Sequence, residues 1–253
     1  MISDANRERP IVVGGIGGSG TRLFGMILSN LGVWLGHRAY LNPGLDNLQS
    51  ATIIERMDWR AISKESRLDI LRQDFRRLGD QILRDVTITE PASAFGWKNP
   101  PMQLFLPELF AAYPEARYVH CLRNGLDMVY SSNHNQFRRW RWAVGLEDEE
   151  ELPEALLDYW IRTTGAALEV IEEKGGLIVR YEDICGKPAE SIKRIAEALE
   201  LPAPPKKDLA SLRAQIDPSD RIGQGNGESL EPFRVDQLAA LAEYGYPVGI
   251  PAG

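Results

Sequence analysis

The sequence predicts an α/β fold in three layers, a mostly parallel sheet flanked by helices. Short β-branched or apolar runs alternate along the chain with segments whose apolar residues recur at helical spacing. The first run passes through a cluster of glycines directly into a helix, a strand–loop–helix unit. At 253 residues, 43% of them hydrophobic, the chain can bury a sizeable core. No internal repeat, low-complexity segment or linker interrupts it, so residues 1–253 are expected to form a single domain.

In chain order, Pro10 precedes Ile11-Val12-Val13, a short β-branched strand ending in glycines. Leu23, Phe24, Ile27, Leu28 and Leu31 then mark a helix over 21–31. Residues 34–52 are rich in Gly, Asn and Pro and read as a loop. An amphipathic helix is expected over 64–83 and a strand over 94–97, followed by Lys98-Asn99-Pro100-Pro101. Pro101 is tolerated in a first helical turn and is expected to open a helix through Tyr113. Ala116 to Leu122 reads as a buried strand and 126–137 as a helix. The acidic stretch Glu147–Glu151 precedes a long helix through Lys174. Leu177 to Arg180 is a strand, 189–199 a helix, 219–229 a Gly-rich segment and 235–244 a terminal helix. Ligands of such sheets bind beyond the carboxyl ends of the strands.

Net charge is −7 and the pI about 5.2. That balance argues against a nucleic-acid partner, while a few focused arginines can still hold an anion. No apolar run approaches the ~18 residues of a membrane span, and the N-terminus lacks the pattern of a secretory signal. Cys121 and Cys185 lack metal-ligand spacing, and three histidines are too few for a histidine-rich metal site, so no metal is expected. A reducing cytoplasm is the expected location.

Gly14-Gly15-Ile16-Gly17-Gly18-Ser19-Gly20-Thr21 follows a strand and opens a helix. Its glycines let backbone approach a ligand, and amides at a helix start favour an oxyanion. A Walker A loop needs a lysine before its Ser/Thr, yet Gly20 precedes Thr21. A dinucleotide fingerprint on Gly15, Gly17 and Gly20 lacks the acidic residue ending a second strand. A second anion signal is Arg123-Asn124-Gly125-Leu126-Asp127-Met128-Val129-Tyr130-Ser131, directly after the strand YVHCL. A guanidinium at a strand end forks onto phosphate oxygens.

These segments resemble the sulfotransferases that use 3′-phosphoadenosine-5′-phosphosulfate (PAPS) and have a P-loop NTPase-like fold. The family's first loop reads P-[KR]-S-G-T-T and its second motif R-[DN]-P-x-D-x-x-x-S. Here the arginine and serine of RNGLDMVYS stand eight positions apart, as in that motif. Tyr181-Glu182-Asp183 is similar to the family's Y-E-D-[LM], and Lys98-Asn99-Pro100 with the run LPELFAAYPEARYVHCLRN to another of its segments. The resemblance implies that Gly17, Gly18, Ser19, Gly20, Thr21 and Arg22 hold the 5′-phosphosulfate, that Arg123 and Ser131 hold the 3′-phosphate, and that Tyr181 lies near the adenine. Arg221 in RIGQG is loosely similar to a basic loop over the 3′-phosphate. Asp127 would be structural.

The chain departs from the family at Gly18, which stands where the basic residue belongs, and at Arg22, which replaces the second threonine. With that residue missing, Lys98 and Arg22 are the expected cations at the leaving group. For the general base Asp46 is favoured, with His37 second and Glu55 in the same region. His120 alternates into a buried strand and reads as core, while His134 could line the pocket. Trp140 and Trp142 among Arg138, Arg139 and Arg141 read as helix packing, an acceptor lid or an oligomer contact. The expected activity moves a sulfuryl group from PAPS to a hydroxyl or amine of a small-molecule, glycan or peptide acceptor, releasing PAP. The alternatives are a P-loop-like nucleotide or metabolite kinase, and a non-catalytic PAP-binding protein. Acceptor and oligomeric state are not readable.

Overall fold

A computed structural model describes residues 2–89, 92–203, 210, 212–214, 216 and 222–248. The chain runs α1 (Asp4–Arg7), β1 (Ile11–Gly15), α2 (Thr21–Asn30), β2 (Val33–Trp34), α3 (Leu48–Glu55), α4 (Lys64–Thr89), β3 (Ala94–Lys98), α5 (Leu106–Ala112), β4 (Arg117–Leu122), α6 (Gly125–Val129), α7 (Asn135–Trp140), α8 (Pro153–Lys174), β5 (Leu177–Arg180), α9 (Tyr181–Gly186), α10 (Pro188–Ala198) and α11 (Val235–Glu243). The five strands pair in parallel in the order β2-β3-β1-β4-β5. Val12 in the central strand lies opposite Trp97 on one side and Tyr118 on the other.

Both faces of the sheet are covered, which is why its inner strands read as continuous apolar runs. Val12, Phe95, Trp97 and Tyr118 pack with Phe75 of α4, Leu109 of α5 and Leu157 of α8. Ile11, Val13, Val119, Cys121 and Val179 pack on the other face with Phe24, Ile27 and Leu28 of α2 and Ile192 and Ile195 of α10. At the amino edge the buried Arg117 guanidinium donates to the carbonyls of Arg9 (3.0 Å) and Leu199 (2.5 Å). β1 is hydrogen-bonded to β3 and β4, so the strand order turns about it. A ligand crevice is expected beyond the carboxyl end of such a strand.

Several elements differ from the sequence reading. The expected loop 34–52 contains the end of the edge strand β2 and most of α3. Asn47 caps α3, its side chain accepting from Ser50 N (2.9 Å). The helix expected from Pro101 to Tyr113 divides into a 3-10 turn, Pro100–Leu104, and α5. Phe105 at φ −126°, ψ 28° leaves helical geometry between them, and Pro107 sits in the first turn of α5. The helix expected over 126–137 is also two. α6 stops at Val129, and the Ser131 hydroxyl donates back to Met128 O (2.8 Å), closing the turn that leads to α7. α9, directly after β5, is not anticipated.

Candidate active site

Four strand ends converge over the crevice. β1 ends in the glycine loop and β3 at Lys98, while β4 leads into Arg123 and β5 into Tyr181. The loop takes backbone shapes that side chains resist, with Gly18 at φ 102° and Gly20 at φ 94°. At Gly20 a Cβ would fall 2.4 Å from Cδ2 of Tyr181, so the Tyr181 ring lies directly on the loop. The first amide to bond back into α2 is Phe24 N, to Gly20 O (3.0 Å). The amides of Thr21, Arg22 and Leu23 therefore have no intrahelical acceptor. Ser19 is 2% exposed, and its hydroxyl makes no hydrogen bond among the described residues. A buried hydroxyl beside open amides is suited to an oxyanion.

Arg123 is buried beside this loop. Its NH1 donates to Gly18 O (3.1 Å) and its NH2 to Gln224 Oε1 (3.3 Å), with the guanidinium carbon 5.4 Å from the Tyr181 ring centre. Trp160 Nε1 holds the Arg123 carbonyl (3.0 Å). Asp127 stands 3.8 Å from the guanidinium, and its carboxylate accepts from Gly223 N (2.8 Å) and Gly225 N (2.9 Å). The described part of the Gly-rich segment 219–229 is thereby pinned over the end of β4. Ser131 is half-buried in the turn after α6, not two turns inside a helix, and its hydroxyl accepts from Asn133 N (3.4 Å). Arg221 lies outside the described residues.

Two expected catalytic residues meet. Lys98 is 2% exposed and donates to Asp46 Oδ1 (2.5 Å) and Gly44 O (2.7 Å). Asp46 Oδ2 accepts from Asn42 Nδ2 (2.7 Å), and Asn42 Oδ1 receives the amides of Gly44 and Asp46 (2.8 and 2.9 Å). Burial pulls the Lys98 ammonium below the usual lysine range, and the Asp46 carboxylate opposes that pull. Arg22 is exposed at the start of α2, and its charge acts on Lys98 through space in the same downward direction as burial. The exposed His37 instead caps a 3-10 turn, Nδ1 accepting from Ala39 N (3.2 Å), with its ring edge-on to Tyr40. Glu55 forms an ion pair with Arg139 (3.0 Å).

His120 is buried against Tyr118, with burial lowering it to about 4. His134 ties the turn before α7 to Val129 O and Glu151 (2.9 Å each), and Arg138, then His134, hold Glu151 down at about 2. Trp140 packs edge-on against Phe105 and tilted against Trp142. Both tryptophans, with Glu55, Arg56, Arg60 and Arg139, line a cleft of about 310 Å³ between the far ends of α3 and α7.

Three contributors escape sequence reading. Gln136 of α7 reaches the loop, its Oε1 accepting the Gly17 amide. Glu182 accepts from Asn124 N (2.9 Å) and the Tyr246 hydroxyl (3.0 Å), and Gln224 touches Arg123. Glu182 and Gln224 carry a local signal, their places in the Tyr181-Glu182-Asp183 run and in RIGQG, and Gln136 carries none. Among the described residues no helix is long and apolar enough to cross a membrane.

A family model described as "Sulfotransferase family" matches residues 10–205. Among solved structures, the chain is similar to the sulfotransferase STF9 of Mycobacterium avium at 16% identity and TM-score 0.55, over 95% of this chain and 77% of that one. It is similar to the sulfotransferase domain of the Synechococcus PCC 7002 olefin synthase at 15% identity and TM-score 0.61, over 98% and 99%. The sulfotransferase STF1 of Mycobacterium tuberculosis H37Rv aligns at 16% identity and TM-score 0.51, over 93% and 76%. At these identities the likeness speaks for the shared fold alone, a parallel sheet flanked by helices. No curated protein matches the sequence.

Proposed function

We propose, from the premise that this chain belongs to the sulfotransferase family whose model spans residues 10–205, that it moves a sulfuryl group from PAPS to a hydroxyl or amine acceptor and releases PAP. The observation that carries the reading is the buried Arg123 guanidinium set against the glycine loop, with Gly18 O at 3.1 Å. One cation and one set of helix-start amides side by side suit a ligand bearing two separated anions.

The co-substrate supplies an activated sulfuryl group and a phosphate leaving group. Ser19, Thr21 and the first amides of α2, with the backbone of Gly17, Gly18 and Gly20, hold the 5′ end. Arg123 and Ser131 hold the 3′-phosphate, Arg221 is assigned to the same group from its sequence motif, and the Tyr181 ring supports the adenine. Lys98 spends two of its three N–H donors on Asp46 and Gly44 and keeps one for the leaving oxygen. Exposed Arg22 adds charge at the loop. Asp46 orients Lys98 through Oδ1. Its Oδ2, with one lone pair on Asn42, keeps another to take the acceptor's hydrogen. His37 is the second candidate for that proton. In-line attack on sulfur then needs positioning and charge stabilisation, as in phosphoryl transfer. We assign the protein to a reducing cytoplasm, where the buried thiols of Cys121 and Cys185 stay reduced.

A non-catalytic PAP-binding role is the second reading, favoured by Gly18 in place of the family's basic residue. Calorimetric titration of PAP and of ATP-Mg²⁺ into wild type and Arg123→Ala tests the assignment. PAP binding that weakens about 100-fold in the variant, with little affinity for ATP, supports it. Binding of ATP-Mg²⁺ without PAP overturns it in favour of a kinase. PAP binding without transfer from PAPS to any acceptor in a broad screen selects the second reading.

A further inference from the structure

Five of the seven residues from Gly14 to Gly20 are glycine, and a loop of that composition loses much backbone freedom when it is fixed. Its internal bond is Ser19 N to Ile16 O (2.9 Å). From outside, Arg123 NH1 holds Gly18 O (3.1 Å), and Gln136 Oε1 accepts the Gly17 amide. Gln136 is 6% exposed, so the carboxamide is built in and does not sample solvent. Its Nε2 faces the Tyr159 hydroxyl, close enough to influence that group, without a hydrogen bond of ordinary geometry among the described residues. Tyr159 stands on α8 and packs edge-on against Phe137 (5.7 Å), so the wall behind the carboxamide is firm. Asn133 adds a second carboxamide, its Nδ2 3.7 Å and 3.9 Å from where Cβ atoms of residues 17 and 18 would lie.

We propose that Gln136 is a positioning residue of the glycine loop, holding the Gly17 amide so that the loop is already shaped for the 5′-phosphosulfate before it arrives. This rests on the sulfotransferase reading above. The tether lies at the two glycines where the resembling motif carries a proline and a basic residue, so a side chain from α7 supplies from outside the rigidity that Gly17-Gly18 cannot. Gln136 acts through the loop and has no part in bonding the adenine or the 3′-phosphate.

The test compares calorimetric affinities for PAP and for adenosine 3′-monophosphate, which lacks the 5′ group, in wild type, Gln136→Ala and Gln136→Glu. Loss of the tether is expected to weaken PAP about tenfold, or 1.4 kcal/mol, and to leave the 3′-monophosphate within about twofold. Glutamate keeps the length and the acceptor for Gly17 but places negative charge beside the incoming anion. It is expected to weaken PAP further at low salt, with partial recovery as salt screens the charge. It also keeps the test alive if the alanine variant fails to fold. Equal weakening of both ligands would make Gln136 merely structural, and unchanged PAP affinity in both variants would also overturn the proposal. Failure of wild type to bind PAP at all would instead remove the sulfotransferase reading, and the proposal with it.

Discussion

Replacing Gly20 by alanine places a methyl group where the structure has none to spare. Two costs add. Gly20 sits at φ 94°, and holding a non-glycine residue in so sparse a region costs about 1–3 kcal/mol. The new Cβ would stand 2.4 Å from Cδ2, 3.1 Å from Cε2 and 3.3 Å from Cγ of Tyr181. Relieving that overlap by moving a ring that packs in the core beneath α9 costs about another 1–3 kcal/mol. Gly145 isolates the first cost, since it too is left-handed (φ 71°, ψ 41°) and a Cβ there meets only the end of the Arg162 side chain, at an ordinary 3.7 Å. Urea denaturation followed by tryptophan fluorescence should therefore show Gly20→Ala less stable than Gly145→Ala by about 1–3 kcal/mol. The displaced ring also shifts the start of α2, so PAP affinity should fall at least about tenfold in Gly20→Ala and stay unchanged in Gly145→Ala. Equal destabilisation by the two substitutions would mean that Tyr181 does not rest on the loop, and the geometry built around that contact would fail.

Lys98→Met should lower sulfuryl transfer about 10²–10³-fold with PAP affinity within about threefold of wild type, measured with labelled PAPS and by calorimetry; a large loss of PAP affinity would place Lys98 in binding instead. Asp127→Asn presents a donor to one of the two amides it now accepts, loosening residues 222–228 by about 1–3 kcal/mol. Faster amide exchange at Gly223 and Gly225 reports it, and unchanged exchange would contradict the clamp. His120, held at about 4 by burial against about 6.5 when unfolded, binds fewer protons in the folded state. Its contribution is complete above about pH 6.5 and is lost as pH falls toward 4, by about 3 kcal/mol. His120→Gln should remove that part of the acid limb in denaturation curves at pH 7 and 4.5, and identical limbs would refute it.

The pieces of the fold that sequence discloses are those whose burial leaves a periodic mark. β1, β3 and β4 sit between two layers of helices and read as apolar runs, the edge strand β5 reads as a short one although only Val179 is buried, and α8 repeats its apolar face over 22 residues. β2 has two residues, too few for any period, and α3 hides behind the Asn/Gly/Pro character of the turn that leads into it. Ser131 bonding to Met128 O ends a helix that apolar spacing alone would continue. At the site, the loop and Arg123 are legible because their chemistry is local: glycines before a helix, a cation at a strand end. The pairing of Lys98 with Asp46 spans 52 positions, and that of Gln136 with Gly17 spans 119. Such contacts depend on how α3 and α7 pack, which no local pattern encodes. His37 adds a contact that is local, its Nδ1 capping the 3-10 turn that directly follows it.

The Asp127 clamp has a consequence for the order in which the site comes into being. A ribosome delivers β1, β3, β4 and β5 well before it delivers Gly223 and Gly225, whose amides close on Asp127 from 96 and 98 positions away. Tyr244 O on Arg180 and the Tyr246 hydroxyl on Glu182 arrive later still. A nascent chain thus has the sheet and the glycine loop in place while the flank beside Arg123 is still open, and a nucleotide that reaches it then meets half a pocket. On the proposed function, high-affinity capture would begin only when residues 223–246 have folded back. If the proposed function holds, topology alone would keep synthesis and ligand uptake apart in time.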